Sequence, residues 1–375
     1  MLVENHYMEN MKKYKIIISG GGTGGHIFPA IAIAKELEKI HSNIDLLFVG
    51  AQDRMEMEKI PQQGYNIIGL WISGFQRRLS VKNLLFPIKL LFSLWKSLSI
   101  IKKFNPDLVV GTGGYASGPL LYIASRKKIP CIIQEQNSYP GITNKILSKY
   151  VQKVCVAYDN MEQFFSEKKI VLTGNPIRQS ILNYKLIKDA NNIFLLDKSK
   201  PTILIIGGSL GALSINKAIK NNLEKLVNFG ANLVWQTGST FYDLAVEKVE
   251  QNFFDGVRVY KFINDMHSAY SISDIIVSRA GAISISELCV VSKPVILVPS
   301  PNVAENHQYK NAQSLVNKKA ALIVKDSEAN CKLVEELIKL MKNKKLQKSL
   351  SKNIGDLAIK DSTTRISKIA LELLK

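Results

Sequence analysis

The residues of this chain best suited to chemistry are three groups of glycines and one histidine. Gly20-Gly-Gly-Thr-Gly-Gly25 follows the apolar run Lys15-Ile-Ile-Ile-Ser19 and leads directly into His26. Glycines at such a turn permit positive φ and let backbone N–H groups approach a ligand closely. A helix starting there adds free donors and a partial positive charge, which together favour a phosphate. The plainer reading of the loop is a tight turn alone. Gly207-Gly-Ser-Leu-Gly211 follows Thr202-Ile-Leu-Ile-Ile206 in the same way. Gly111-Thr-Gly-Gly-Tyr115 follows another apolar run and points to a second anion site, for an acceptor phosphate. A helix N-terminus keeps a histidine neutral, so His26 is a candidate general base; the plainer alternative is a capping or packing histidine. Gly20-x-Gly22-x-x-Gly25 formally matches the dinucleotide fingerprint. The acid expected at the end of the second strand is absent, however, since Phe48-Val-Gly-Ala51 stands there, which disfavours NAD. No GxxxxGK[ST] sequence occurs, which excludes a P-loop ATPase.

Positioning these loops requires strands that end at them and helices that start from them. Apolar runs predict strands at Lys15–Ser19, Ile44–Val49, Asp107–Val110, Ile129–Ile133, Val154–Ala157 and Ile170–Thr173 in the first half. The second half has them at Thr202–Ile206, Asn232–Trp235, Val257–Tyr260, Asp274–Ser278, Val295–Val298 and Ala321–Val324. Amphipathic helical segments alternate with them, so the fold class is α/β with parallel sheets. Two strand–glycine loop–helix starts predict two doubly wound, Rossmann-like domains facing each other across a cleft. Proline in Gly174-Asn-Pro176 sets the boundary, giving domains 13–174 and 175–375. The last helix, from about Ser362, could pack on either domain.

Composition narrows the class of function. Hydrophobic residues make up 46% and charged residues 22%, as in a folded globular chain and unlike a disordered one. Cys131, Cys155, Cys289 and Cys331 are widely spaced without CxxC, which excludes a disulfide scaffold and a structural zinc site and fits a reducing compartment. The first ten residues lack the apolar core of a signal peptide and, with Met11 as a second possible start, read as a dispensable extension. The net charge of +19 points to an anionic partner or, more simply, to solubility from a lysine-rich composition.

Nine motifs in one order carry a resemblance. They are Gly21-Gly-Thr-Gly-Gly-His-Ile-Phe-Pro-Ala30, Gly111-Thr-Gly-Gly-Tyr-Ala-Ser-Gly-Pro119, Gln134-Glu-Gln-Asn137, Gly174-Asn-Pro-Ile-Arg178, Gly207-Gly-Ser-Leu-Gly-Ala212, Phe262-Ile-Asn-Asp-Met266, Ser278-Arg-Ala-Gly-Ala282, Ser286-Glu-Leu288 and His307-Gln308. From about Lys13 to its end the chain resembles the bacterial peptidoglycan N-acetylglucosaminyltransferases, which convert lipid I to lipid II. The resemblance implies a two-domain glycosyltransferase of the GT-B type. The donor, UDP-N-acetylglucosamine, would bind mainly to the C-terminal domain. The acceptor, undecaprenyl-diphospho-N-acetylmuramoyl pentapeptide, would bind to the N-terminal domain at the membrane. A β-(1→4) product from an α-linked donor means inversion.

Carried onto this sequence, the resemblance places donor contacts at Thr23, Gly24, Gly25, Asn137, Arg178 and Ser209. The backbone at Ile263 would read the uracil, the run Ala282, Ile283, Ser284, Ile285, Ser286 and Glu287 would hold phosphates and ribose, and Gln308 the sugar hydroxyls. Gly113, Gly114 and Tyr115 are the expected acceptor diphosphate site. Some relatives carry Ser-Gly at Ala280-Gly281 and Gln-Gln at His307-Gln308, which leaves position 307 without an assigned role.

Physical chemistry agrees with these assignments. A departing diphosphate gathers charge, which Arg178, Ser209 and the helix starting near Gly281 can stabilise. The chain contains no Asp-x-Asp, so no metal and no cofactor are expected. Glu287 could grip both ribose hydroxyls; alternatively Ser284-Ile-Ser-Glu287 is a capping box. His26 is the expected base, with Asn137 or Glu135 positioning it, although Glu135 could itself serve.

A membrane face is the remaining expectation. No acidic residue occurs between Glu58 and Asp107, whereas Lys59, Arg77, Arg78, Lys82, Lys89, Lys96, Lys102 and Lys103 do. Lys82, Lys89, Lys96 and Lys103 share one helical stripe among Leu84, Leu85, Phe86, Leu90, Leu91, Phe92, Leu94, Trp95, Ile100 and Ile101, with Pro87 starting the main helix. Such a basic amphipathic helix suits an anionic inner leaflet, at the cytoplasmic face of the cell membrane; part of its apolar stripe must also be ordinary core. Nucleic acid is disfavoured, because no recognised motif is present, and Lys342–Lys352 reads as a solvated face. Cell-wall synthesis proteins are further possible partners. Transfer to a diacylglycerol and a nucleotide-sugar sensor without turnover are the competing functions.

Overall fold

The computed structural model describes residues 12–74, 85–182, 187 and 190–374. Arg77, Arg78, Lys82 and Leu84, like the first ten residues, lie outside this set. The chain forms two compact units, Met1–Ile177 with Asp361–Lys375, and Arg178–Lys360.

In the N-terminal unit the strands are β1 (Tyr14–Gly20), β2 (Ile44–Ala51), β3 (Ile67–Leu70), β4 (Leu108–Gly113), β5 (Cys131–Glu135), β6 (Lys153–Val156) and β7 (Ile170–Leu172). They form one sheet of order β3-β2-β1-β4-β5-β6-β7, and every pair is parallel. Helices include α1 (Gly24–Ile40), α2 (Glu56–Lys59), α3 (Phe86–Phe104) and α4 (Ser117–Arg126). Both faces of the sheet are buried. Ile17, Val49, Val109 and Ile133 point to one core and Ile16, Ile18, Phe48 and Val110 to the other, which is why these strands are continuously apolar.

Strand order reverses between β1 and β4. Their C-terminal ends carry the first and third glycine loops, so both loops meet at the topological switch point, the usual ligand position in such sheets. Register slips between Ser19 and Gly20, so that Gly20 faces Gly113.

In the second unit β8 (Thr202–Ile206), β9 (Asn232–Gln236), β10 (Val257–Tyr260), β11 (Ile275–Ser278), β12 (Val295–Leu297) and β13 (Leu322–Ile323) form a parallel sheet of order β10-β9-β8-β11-β12-β13. The switch point lies between β8 and β11. Helix α5 (Leu213–Asn221) follows β8, α6 (Ala282–Val291) follows β11 and α7 (His307–Asn317) follows β12. The sequence predicts twelve of the thirteen strands among the described residues; it omits β3, a four-residue edge strand.

The final helix, α8 (Ser362–Glu372), belongs to the N-terminal unit. It lies against α1, buries Ile366 and Ala370 in that unit's core, and Thr364 donates to Glu36 at 2.6 Å.

Candidate functional site

His26 sits in the first turn of α1, which is capped by the extended residue Thr23 without a side-chain hydrogen bond. Its Nδ1 lies 2.8 Å from the carbonyl of Gly21. A carbonyl can only accept, so Nδ1 carries the hydrogen and Nε2 holds the lone pair. Burial lowers the His26 pKa below its ordinary 6.5, against the opposing Gly21 bond and the charge of Glu56. The ring is therefore neutral near pH 7, with its basic nitrogen toward Gly113. A Cβ on Gly113 would stand 2.9 Å from Cδ2 and 3.0 Å from Nε2, at a φ of +101°. Glycine is required there by the ring as well as by the backbone.

The third loop is tied to the first. Gly21 donates its N–H to Gly113 at 3.2 Å, and a Cβ on Gly114 would meet the Gly21 carbonyl at 2.4 Å. Thr112 Oγ1 donates to the His26 carbonyl at 2.8 Å, and Ser117 Oγ bonds the carbonyls of Ser19 and Gly113 at 2.9 and 3.0 Å. Tyr115, half exposed, lays its ring over Gly74.

Glu135 is buried and fully engaged. It accepts from Asn137 N at 2.9 Å, Asn137 Nδ2 at 3.2 Å, Gly141 N at 3.2 Å and Asn144 Nδ2 at 2.8 Å. Burial pushes its pKa up, while these bonds oppose the shift. Glu135 is thus the anchor of the Asn137 loop, and it is not presented as a base. Beside it Gln134 Nε2 donates to Asn175 Oδ1 at 2.8 Å and Asn175 Nδ2 to the Gln136 carbonyl at 3.0 Å, while Gln136 Nε2 bonds Gln134 Oε1.

In the second unit Glu287 receives Arg178 through two parallel bonds, Nε to Oε1 and Nη2 to Oε2, each 2.7 Å. Tyr270 OH adds a bond at 3.3 Å. Glu287 is buried, its partner half exposed, and the carboxylate raises the Arg178 pKa further. The capping-box alternative fails: the N-cap of α6 is Gly281, so Ser284 and Glu287 lie too far along the helix. Ile285 is also corrected. Its side chain is in the core and its N–H donates to Gly281 at 2.9 Å, so it offers a ligand neither. Ala282, Ile283, Ser284 and Ser286 remain half-buried at the helix start, with Ser286 Oγ bonded to the Ala282 carbonyl.

The second glycine loop leaves Ser209 exposed. Gln236, at the end of β9, donates to the Gly208 carbonyl at 2.9 Å and accepts the Ile263 N–H at 2.9 Å. The Ile263 N–H is therefore committed within the protein. Gln308 accepts from Ser300 N at 2.9 Å, which commits its Oε1 and turns Nε2 into the available donor. Among the described residues no group of three or more His, Cys, Asp or Glu could hold a metal ion.

Sequence reasoning misses Glu56 and Gln236, whose side chains shape the two glycine loops. The available signal is an acid soon after Gly50-Ala51 and an amide at a strand's C-terminal end.

Two doubly wound units with these loops at their switch points fit an enzyme that binds a nucleotide. The chain matches the glycosyltransferase family 28 N-terminal domain over residues 16–156 and the family's C-terminal domain over residues 202–366, and it belongs to that family. It is 52% identical to the UDP-N-acetylglucosamine--N-acetylmuramyl-(pentapeptide) pyrophosphoryl-undecaprenol N-acetylglucosamine transferase of Cytophaga hutchinsonii, covering 98% of this chain and 99% of that one. The enzyme of the same name from Christiangramia forsetii is 51% identical over 94% and 95%. The crystal structure of Acinetobacter baumannii MurG superposes with a TM-score of 0.80 at 27% identity, covering 96% of this chain and 99% of that one. Within family 28 this chain belongs with these N-acetylglucosaminyltransferases, and its fold class is GT-B.

Proposed function

We propose that this chain transfers N-acetylglucosamine from UDP-N-acetylglucosamine to the C4 hydroxyl of undecaprenyl-diphospho-N-acetylmuramoyl pentapeptide, converting lipid I to lipid II. The observation that carries the reading is the match along 98% of the chain to a transferase of that name. His26 Nε2 takes the proton of the acceptor hydroxyl as its oxygen attacks the anomeric carbon. The bond from that carbon to the β-phosphate oxygen breaks, and its electron pair leaves with UDP. One displacement inverts the centre.

Arg178, Ser209 and the first-turn N–H groups of α6 meet the charge growing on the diphosphate. Glu287 takes the ribose hydroxyls, the Ile263 carbonyl the uracil N3–H, and Gln308 Nε2 the sugar hydroxyls. Gly113, Gly114 and Tyr115 receive the acceptor's diphosphate. The donor contacts at Thr23, Gly24, Gly25 and Asn137 rest on resemblance alone.

We place α3 on the cytoplasmic face of an anionic membrane. Its outward side carries Ile88, Leu91, Phe92 and Trp95, of which Leu91 and Trp95 are 67% and 66% exposed, while Ser93 and Ser97 are buried. Over Ile88–Ser97 that is the inverse of a helix built for water, while Ile100 and Ile101 further along are buried in the core. Trp71, Phe92 and Trp95 form an edge-packed aromatic group, and Lys89 lies 5.4 Å above the Trp71 ring. No described helix is long and apolar enough to cross a membrane.

Incubation of the purified chain with UDP-N-acetylglucosamine and a short-chain lipid I analogue, in EDTA, tests the reading. UDP release that depends on the acceptor supports both the reaction and its independence of metal. Tight UDP binding with no release counts against it.

A further inference from the structure

The peptide group joining Gly21 to Gly22 is held at both ends. Its C=O accepts from His26 Nδ1 at 2.8 Å, and its N–H donates to Glu56 Oε2 at 2.9 Å. The other oxygen of Glu56 accepts the Ala51 N–H at 3.0 Å, and the side chain is completely buried. Two glycines make the space: a Cβ on Gly21 would stand 2.0 Å from Oε1, and one on Gly50 2.5 Å from Cγ. Burying a carboxylate without a cation is costly, and such groups persist where they serve a site. Among the described residues no cation forms an ion pair with Glu56.

We propose that Glu56 is a positioning residue for His26, acting through the Gly21–Gly22 peptide as a carboxylate acts directly on a histidine in a hydrolytic triad. The inference rests on His26 being the base. A carboxylate drawing on an amide N–H polarises that amide, and its C=O becomes a stronger acceptor. The Gly21 carbonyl then fixes the ring with hydrogen on Nδ1 and the lone pair on Nε2. When the acceptor's O–H bond breaks and the Nε2–H bond forms, the ring becomes an imidazolium. Its Nδ1–H points into the polarised carbonyl, with the negative charge of Glu56 behind it. Glu56 gains no proton in this step.

The test is Glu56→Gln in the full chain, which keeps the volume and removes the charge. His26 is titrated by NMR of histidine-labelled protein, its signal assigned by loss in His26→Asn. Burial lowers the His26 pKa and Glu56 holds it up, so the midpoint falls in the variant. A downward move of the midpoint is the expected result. The ascending limb of kcat/KM moves to lower pH with it, and kcat falls about tenfold. A midpoint that does not move overturns the proposal and leaves His26 as base untouched. Full activity in His26→Asn sinks the base reading instead. If Glu56→Gln does not fold, the wild-type protein decides: the Gly22 amide signal must titrate with the His26 midpoint. A Gly22 amide that stays still across that range overturns the relay.

Discussion

Gly113→Ala tests whether the third glycine loop exists to make room for a base. Two effects are expected and they separate. Alanine at φ +101° carries the left-handed penalty, about 1–2 kcal/mol. Its Cβ also meets the His26 ring at 2.9 and 3.0 Å, so the ring must move. A displacement of about 1 Å in a catalytic group costs about 10²-fold in rate, or about 2.7 kcal/mol of barrier. Gly64→Ala is the control, since Gly64 has φ +88° and nothing within 4 Å of a Cβ. Both variants should lose roughly 2–6 °C of Tm. Acceptor-dependent UDP release should fall about 10²-fold in Gly113→Ala and stay at the wild-type rate in Gly64→Ala. Equal turnover in the two variants would refute the packing of His26 on Gly113 as a catalytic requirement.

Other expectations follow from the same geometry. Arg178→Ala leaves the buried Glu287 without its fork, so UDP affinity and kcat should both drop, by about tenfold or more, and Arg178→Lys should not restore them; calorimetry and initial rates decide, and a silent Arg178→Ala ends the assignment. Because His26 must be neutral to act and burial lowers its pKa, kcat/KM should rise with pH along a limb lying below 6.5 and be flat above it; a limb above 6.5 contradicts the neutral ring. The same depression makes stability fully present above the unfolded value of 6.5 and lost as pH falls through the folded one, so His26→Asn should narrow the acid loss of Tm. Leu91→Glu with Trp95→Glu alters only outward positions, so thermal stability should hold while sedimentation with phosphatidylglycerol vesicles falls about tenfold or more; unchanged sedimentation removes α3 from the membrane.

Much of this was legible along the chain because the signals are local. Thr202-Ile-Leu-Ile-Ile206 followed by Gly207-Gly-Ser-Leu-Gly211 announces a buried strand and a tight turn within ten residues. β3 was not, because Ile67-Ile-Gly-Leu70 is short, lies at an edge and contains a glycine that a Gln52 side chain requires. Partnerships across distance were hidden too. Glu56 reaches Gly22 over 34 positions, and Arg178 reaches Glu287 over 109. The acid of the dinucleotide fingerprint is absent from the end of β2. An acid does follow β2, in α2, where Glu56 grips the first glycine loop. Periodicity marked α3 as a basic amphipathic helix, but only the fold shows Ser93 and Ser97 turned inward.

The threading of α8 into the first core has a consequence for synthesis. Ile366 and Ala370 leave the ribosome long after the rest of that core, yet Ile16, Ile18 and Ile27 need them for a closed interior. The unit that begins the polypeptide is therefore completed last, after Arg178–Lys360 has had its strands available to fold. A nonsense codon near position 360 would spare all of Arg178–Lys360 and still leave the N-terminal unit with an unsealed core.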